Sequence, residues 1–332
     1  MDLQERSVGR KIFKANKKRI TAGGLFNCGL PEITPLNRKS LGSTIGAMSE
    51  SPVVPVPDDG LICPEVGSWA ETKHALVSLY TKLFATGMKN KWDKRTYIEL
   101  YAGAGCSKIR GKGTRIAGSP LRALCLEDPF DKYIFCEQDA ECLAALKKRV
   151  KLIAPSADVS YVPGDCNQCV DEILAAMPQY SRECKVLSLC FVDPFNIGIK
   201  FETLRRLSAK FVDFLVLLAL YMDANRNRSR YIVEDQARVD EFLGSTDWRV
   251  RWKTDEQQGI LFPNFLKQEF TNSMETLDYA PPPLYKMKAV RSDDRNLPLY
   301  HLALFSRHKL AYEFWDQAMK YHTDQTSFAF EE

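Results

Sequence analysis

Residues 97–105, Tyr-Ile-Glu-Leu-Tyr-Ala-Gly-Ala-Gly, join an apolar strand to a turn whose two glycines, Gly103 and Gly105, stand one residue apart. The strand also carries an acid, Glu99, in its middle. A glycine turn at the end of a strand lets backbone approach a ligand, and it is how an open parallel sheet meets an adenosine-containing molecule. The segments that follow keep the alternation such a sheet needs. Strand-like runs at 133–136, 159–162, 186–192 and 211–220 alternate with helical patterns at 140–151, 170–177 and 201–208. Ser119-Pro120 opens a further helix, with Ser at the cap and Pro at the first helical position. Ahead of the first strand, Leu76, Leu79, Tyr80, Leu83 and Phe84 fall at helical spacing behind Ser68, a candidate N-cap. This order predicts a mostly parallel sheet with helices on both faces.

The end of the chain breaks the pattern. Helical segments near 238–243 and 262–273 precede two strand-like runs, 285–290 and 299–305, separated by the polar turn 291–296. That spacing predicts an antiparallel hairpin, closed by an amphipathic helix at 311–321. The expected sheet therefore has seven strands, five parallel and two in the hairpin.

Residues 1–62 read differently. They hold a basic segment (Arg10, Lys11, Lys14, Lys17, Lys18, Arg19) and then a Pro/Gly/Ser-rich stretch, without sustained apolar periodicity. This predicts a loosely ordered extension, 1–62, ahead of one α/β domain, 63–332. The net charge of +4 on 332 residues marks no global nucleic-acid field. No apolar stretch follows the charged N-terminus, and the longest apolar run, 214–222, is too short to span a bilayer, so a cytoplasmic protein is expected. The ten cysteines do not suggest a disulfide framework. Cys136 and Cys190 sit in apolar runs as buried thiols, and the CxxC pair Cys166/Cys169 lacks a second pair or His at zinc spacing.

The strand ends supply the candidate chemistry. The first ends in Gly103 and Gly105, the second in Glu137, the third in Asp165, and the fourth in Asp193-Pro194-Phe195-Asn196. A dinucleotide fingerprint would need a third glycine, but Lys108 stands there and the helix is delayed to Ser119. S-adenosylmethionine fits better. Glu137 can accept from its ribose hydroxyls and Asp165 from its adenine amino group. The glycine turn, with Tyr101 beside it, can admit the amino-acid part. Glu99 either orients that loop or accepts from the ammonium.

These residues carry a resemblance. The stretches YIELYAGAG, GSPL after the basic loop, YIFCEQD, FVDPFNIGI and LPLYHLALFSRHKLAYEFW resemble those of class I (Rossmann-type) methyltransferases. More closely, they resemble the three-Cys-motif partner (TcmP) family, over residues 68–321. The resemblance implies a methyltransferase-like domain and a partner protein bearing a three-cysteine motif. Methyltransferases of exocyclic amines present (Asp/Asn)-Pro-Pro-aromatic at the end of the fourth strand. By that comparison Asp193 and the Pro194 carbonyl would accept from the target amino group, and Phe195 would stack on the ring. This chain lacks the second proline and has Asn196 after Phe195.

Two basic clusters point toward a polyanion. Lys108, Arg110, Lys112 and Arg115 lie on the loop after the glycine turn, and Arg226, Arg228 and Arg230 follow the fifth strand. Both are expected at the ligand edge of the sheet, where they would bind phosphates of DNA or RNA. His301 and His308 read as structural. The expected activity is S-adenosylmethionine-dependent methylation of a nucleic-acid base amino group. Methylation of protein or a small molecule, and a non-catalytic binding subunit, stand as the alternatives.

Overall fold

The computed structural model describes residues 54–233, 236–280, 283–292 and 296–328, with side chains through 320. Of the extension expected over residues 1–62, residues 1–53 lie outside the described residues. Seven strands form the central sheet: β2 (Lys94–Glu99), β5 (Lys132–Glu137), β6 (Val159–Pro163), β7 (Val186–Val192), β8 (Val212–Leu218), β9 (Lys288–Arg291) and β10 (Pro298–Phe305). Their order is β6-β5-β2-β7-β8-β10-β9, with β9 and β10 antiparallel and the other five parallel. Every residue of β7 and β8 is buried, as near-continuous apolar runs in a parallel sheet require. The strand order reverses between β2 and β7, and such a reversal opens a crevice at the carboxyl ends of the strands.

The two faces of the sheet carry separate apolar layers, because neighbouring strand residues point to opposite sides. Tyr97, Tyr133, Phe135 and Leu189 pack against α1 (Trp69–Met88), α2 (Ser119–Leu124), α3 (Ala140–Ile153) and the C-terminal α10 (Lys309–Phe328). Ile98, Ile134, Cys190 and Phe214 pack against α4 (Val170–Ala176), α5 (Phe201–Leu207), α7 (Arg238–Leu243), α8 (Trp248–Gln257) and α9 (Phe262–Glu275). A π-turn (Leu220–Ala224) and the short α6 (Arg228–Tyr231) leave β8. The sequence pattern did not mark α6, α8 or the π-turn.

Four local features differ from the sequence reading. Residues 106–118, expected as a loop, form a hairpin of β3 (Cys106–Ile109) and β4 (Arg115–Ala117). Gly111 and Gly113 turn it at φ of 80° and 68°, in the left-handed region where glycine is free of the Cβ penalty. Residues 54–62, placed in the extension by the boundary at 62, lie along this hairpin. Val56 N–H donates to the Arg115 carbonyl at 3.0 Å, and Ala117 N–H donates to that of Val54 at 2.8 Å. The strap continues into β1 (Glu65–Val66), which pairs in parallel with β3. A disulfide joins Cys63 to Cys106, although the ten cysteines do not suggest a disulfide framework in the sequence. Finally, α2 begins at Ser119 itself with Gly118 in the cap position, and the Ser119 hydroxyl is used elsewhere.

Candidate active site

A cavity of about 400 Å³ opens at the carboxyl ends of β2, β5, β6 and β7, within the size range of small-molecule sites. Gly103, Gly105, Glu137, Asp165 and Asp193 all line it, as does Tyr101. The two glycines of the turn do different work. Gly103 has φ of 62° and a Cβ there would meet nothing within 4 Å, so the turn leaves room for a ligand. Gly105 has φ of 75° and a Cβ would stand 2.8 Å from Leu146 Cδ1, so its bare backbone lets the turn settle on α2 and α3.

Glu137 braces this turn. Its Oε2 accepts from Gly103 N–H at 2.7 Å and its Oε1 from Asp139 N–H at 2.8 Å. A carboxylate offers about four lone-pair directions, so acceptor capacity remains toward the cavity. Asp165 is half-buried, and its Oδ1 accepts from Asn167 N–H at 2.9 Å. Tyr101 packs beside Cys166, and burial pushes its phenol well above the ordinary range.

Glu99 stands behind the cavity wall and is 1 % exposed. It accepts from the Ser119 hydroxyl, and from the Tyr97 hydroxyl at 3.1 Å. Burial pushes its carboxyl well above the usual range; Ser119 pulls it back and the Asp193 charge adds to the rise. Its hydrogen bonds thus go to the first residue of α2 and to a neighbour on its own strand, and Glu99 is not among the residues that line the cavity.

Asp193, Pro194, Phe195 and Asn196 line the cavity at the end of β7. Phe195 is 75 % exposed, an aromatic face held open at the rim. Lys73, missed by the sequence reading, donates from Nζ to Asp193 Oδ2, and both side chains are shielded, at 7 % and 15 % exposure. Its neighbours Trp69 and Tyr300 also line the cavity, with ring centroids 4.9 Å apart. His74 lines it too; burial first, then Lys73 and Arg122, hold its imidazole well below the usual range, and Nδ1 has no partner.

None of the basic residues of either cluster lines this cavity. Acids distant in sequence answer three of the four hairpin cations. Lys108 meets Glu65 at 3.4 Å, Lys112 meets Glu71 at 3.0 Å, and Arg115 pairs with Asp58. Among the described residues Arg110 has no ion-pair partner. Arg228 pairs with Glu256, while the charge of Arg226 acts on the Tyr300 phenol at the cavity wall. Among the described residues no His/Cys/Asp/Glu group is arranged to hold a metal, and no helix is long and apolar enough to cross a membrane.

No protein-family model matches the chain, and no curated protein matches it significantly. Solved structures are similar at low identity. A putative O-methyltransferase from Klebsiella pneumoniae shares 12% identity over 69% of this chain and 79% of its own, with a TM-score of 0.36. An O-methyltransferase from Bacillus cereus in complex with SAH shares 8% over 76% and 93%, at 0.38. Trm1 from Pyrococcus horikoshii with S-adenosyl-L-methionine shares 9% over 81% and 62%, at 0.37. At these scores the likenesses carry no functional argument. The chain's own strand order and hairpin give it a Rossmann-like α/β sheet, mostly parallel, with helices on both faces.

Proposed function

We propose that this chain is an S-adenosylmethionine-dependent methyltransferase acting on nucleic acid, at a base amino group, together with a three-cysteine-motif partner. One observation carries the reading: the glycine turn and three separate strand-end acids converge on a single cavity where the strand order reverses. The residues fit the cofactor. Glu137 would accept from ribose hydroxyls, Asp165 from the adenine amino group, and the open space at Gly103 would admit the amino-acid part. When bound, S-adenosylmethionine supplies an electrophilic methyl group on its sulfonium.

This chain's own residues would prepare the acceptor. A ring amino group is a poor nucleophile because its lone pair is delocalised. The Asp193 carboxylate and the Pro194 carbonyl would accept from its protons and localise that lone pair. Phe195 would hold the ring by stacking, which contributes positioning. Lys108, Arg110, Lys112, Arg115, Arg226 and Arg228 would contact phosphates. Exposed ion pairs are worth little, so phosphates could displace the acids now facing some of these cations. The partner rests on the family resemblance alone.

A second reading, a subunit that binds cofactor without transferring methyl, is favoured by the Lys73 ammonium already engaging Asp193. Transfer of labelled methyl to DNA, RNA or protein, compared with Asp193→Ala, separates the two. Transfer lost in the variant supports the enzyme; cofactor binding without transfer to any polymer supports the subunit.

A further inference from the structure

We propose that the sheet edge opposite the cavity carries a second binding surface, which takes single-stranded nucleic acid of any sequence. Strands β2, β7 and β8 are parallel neighbours, so the segments that enter them lie side by side. Trp92 stands just ahead of β2, Tyr180 lies between α4 and β7, and Phe211 directly precedes β8. Their rings form a row, with centroids 5.6 Å apart for Trp92 and Phe211 and 4.8 Å apart for Tyr180 and Phe211. Backbone hydrogen bonds hold the row in place. The Asp93 and Lys94 N–H groups both donate to the Lys185 carbonyl, at 3.0 and 3.1 Å, and Ser188 N–H donates to the Phe211 carbonyl at 2.8 Å.

Packing alone does not account for these rings. Tyr180 is 42 % exposed and Phe211 48 % exposed, although they touch each other. Cations surround them: Lys91, Lys94, Arg182 and Lys185 are exposed, and Lys210 is half-buried. The acids within the same three segments are Asp93 and Glu183, and Asp93 Oδ2 already accepts from the Lys185 N–H at 2.8 Å. Among the described residues none of these five cations enters an ion pair. Three of the four cations of the β3/β4 hairpin, by contrast, face acids. A single exposed lysine is ordinary; five without acids around three touching rings make a surface.

That surface matches a single strand. Unpaired bases offer flat faces to part-exposed rings, and phosphates offer charge to the flanking cations. A duplex hides its base faces, and an acidic peptide brings charge without rings to stack. Neither contact reads base identity or the sugar, so DNA and RNA strands should bind alike. The strands β7 and β8 have seven residues each, which sets this surface about 20 Å from the cavity. What the cavity binds therefore does not decide it.

The test measures fluorescence anisotropy of the full-length protein with labelled oligothymidine and oligouridine of about 12 nucleotides, within the usual site size. Neither base has an exocyclic amino group, so the acceptor chemistry proposed for the cavity is not engaged. Tyr180→Ser combined with Phe211→Ser should weaken both strands at least about tenfold, the scale of lost base stacking. Lys94→Gln combined with Lys185→Gln should flatten the slope of log affinity against log salt by about 1.4, for two phosphate contacts on a single strand. Melting scans confirm folding; if the ring variant melts early, the lysine variant decides. No saturable binding by the wild type, unchanged affinity in a folded ring variant, or an unchanged salt slope in the lysine variant overturns the proposal. So does a duplex of the same length that binds equally well. Competition by polyglutamate as effective as that by unlabelled strand assigns the surface to acidic proteins and likewise overturns it. Calorimetry with S-adenosylhomocysteine, run in parallel, reports on the cavity alone and should give the same affinity in the wild type and both variants.

Discussion

Arg149 holds Asp59 through two hydrogen bonds of 2.7 Å each, fixing the strap of residues 54–66 to α3. The same guanidinium donates to the Ile62 carbonyl at 3.0 Å and to that of Ala104 at 2.6 Å. One buried side chain thus ties the strap to the glycine turn. Arg149→Met removes all four bonds and leaves Asp59 unpaired, so a loss of about 3 kcal/mol is expected. Hydrogen exchange should quicken over 54–66 and 103–106 first, measured by mass spectrometry.

Gly103 and Gly105 should respond in opposite ways. Gly103→Ala meets open space and pays mainly for its φ of 62°, about 1 kcal/mol, yet places a methyl group at the cavity wall. Stability should change little while affinity for S-adenosylmethionine falls. Gly105→Ala drives a methyl to 2.8 Å from Leu146 Cδ1 and should cost about 2–4 kcal/mol, read by chemical denaturation.

The legible part of this molecule was the sheet. Near-continuous apolar strands with helices between them leave few other architectures, and the turn 291–296 marked the closing hairpin. The hairpin β3/β4 was harder, because its strands are four and three residues long and its basic residues Lys108, Arg110, Lys112 and Arg115 made it read as a loop. The signal was alternation, since Ile109 and Ile116 both point inward at 0 % exposure. Lys73 was missed although it lies in phase with Ala70, Val77, Tyr80 and Phe84 on the buried stripe of α1. A lysine at an apolar phase was readable; its partner Asp193, 120 residues away, was not. The pairing of Lys108, Lys112 and Arg115 was equally hidden, because their acids come from the strap and α1.

Asp213 gives the fold a specific pH dependence. It is buried at the start of β8, and burial pushes its carboxyl up to about 7, partly offset by the Ser306 hydroxyl and the Arg307 charge. A raised folded-state value contributes stability that is complete near pH 4 and is lost as pH rises toward 7. Asp213→Asn should therefore gain on the wild type across that window, by a few kcal/mol at about 1.4 kcal/mol per unit, and the difference should level off above it. His301 has the opposite sign, since burial lowers it to about 4 and its contribution is lost as pH falls from 6.5. Melting curves of both proteins from pH 4 to 9 isolate the Asp213 part, because His301 is common to them.

The Cys63–Cys106 disulfide closes a separation of 43 residues across the strap and hairpin. In the chain-entropy model such a loop is worth about 4 kcal/mol. Reductant should lower the melting temperature of the wild type and leave that of Cys63→Ser unchanged.

Isothermal titration of the purified protein with S-adenosylmethionine tests the central claim most directly. The convergence of Gly103, Glu137 and Asp165 on one cavity predicts a single saturable site with a dissociation constant in the micromolar range or tighter. Absence of saturable binding by both S-adenosylmethionine and S-adenosylhomocysteine, in a protein that melts cooperatively, would contradict it.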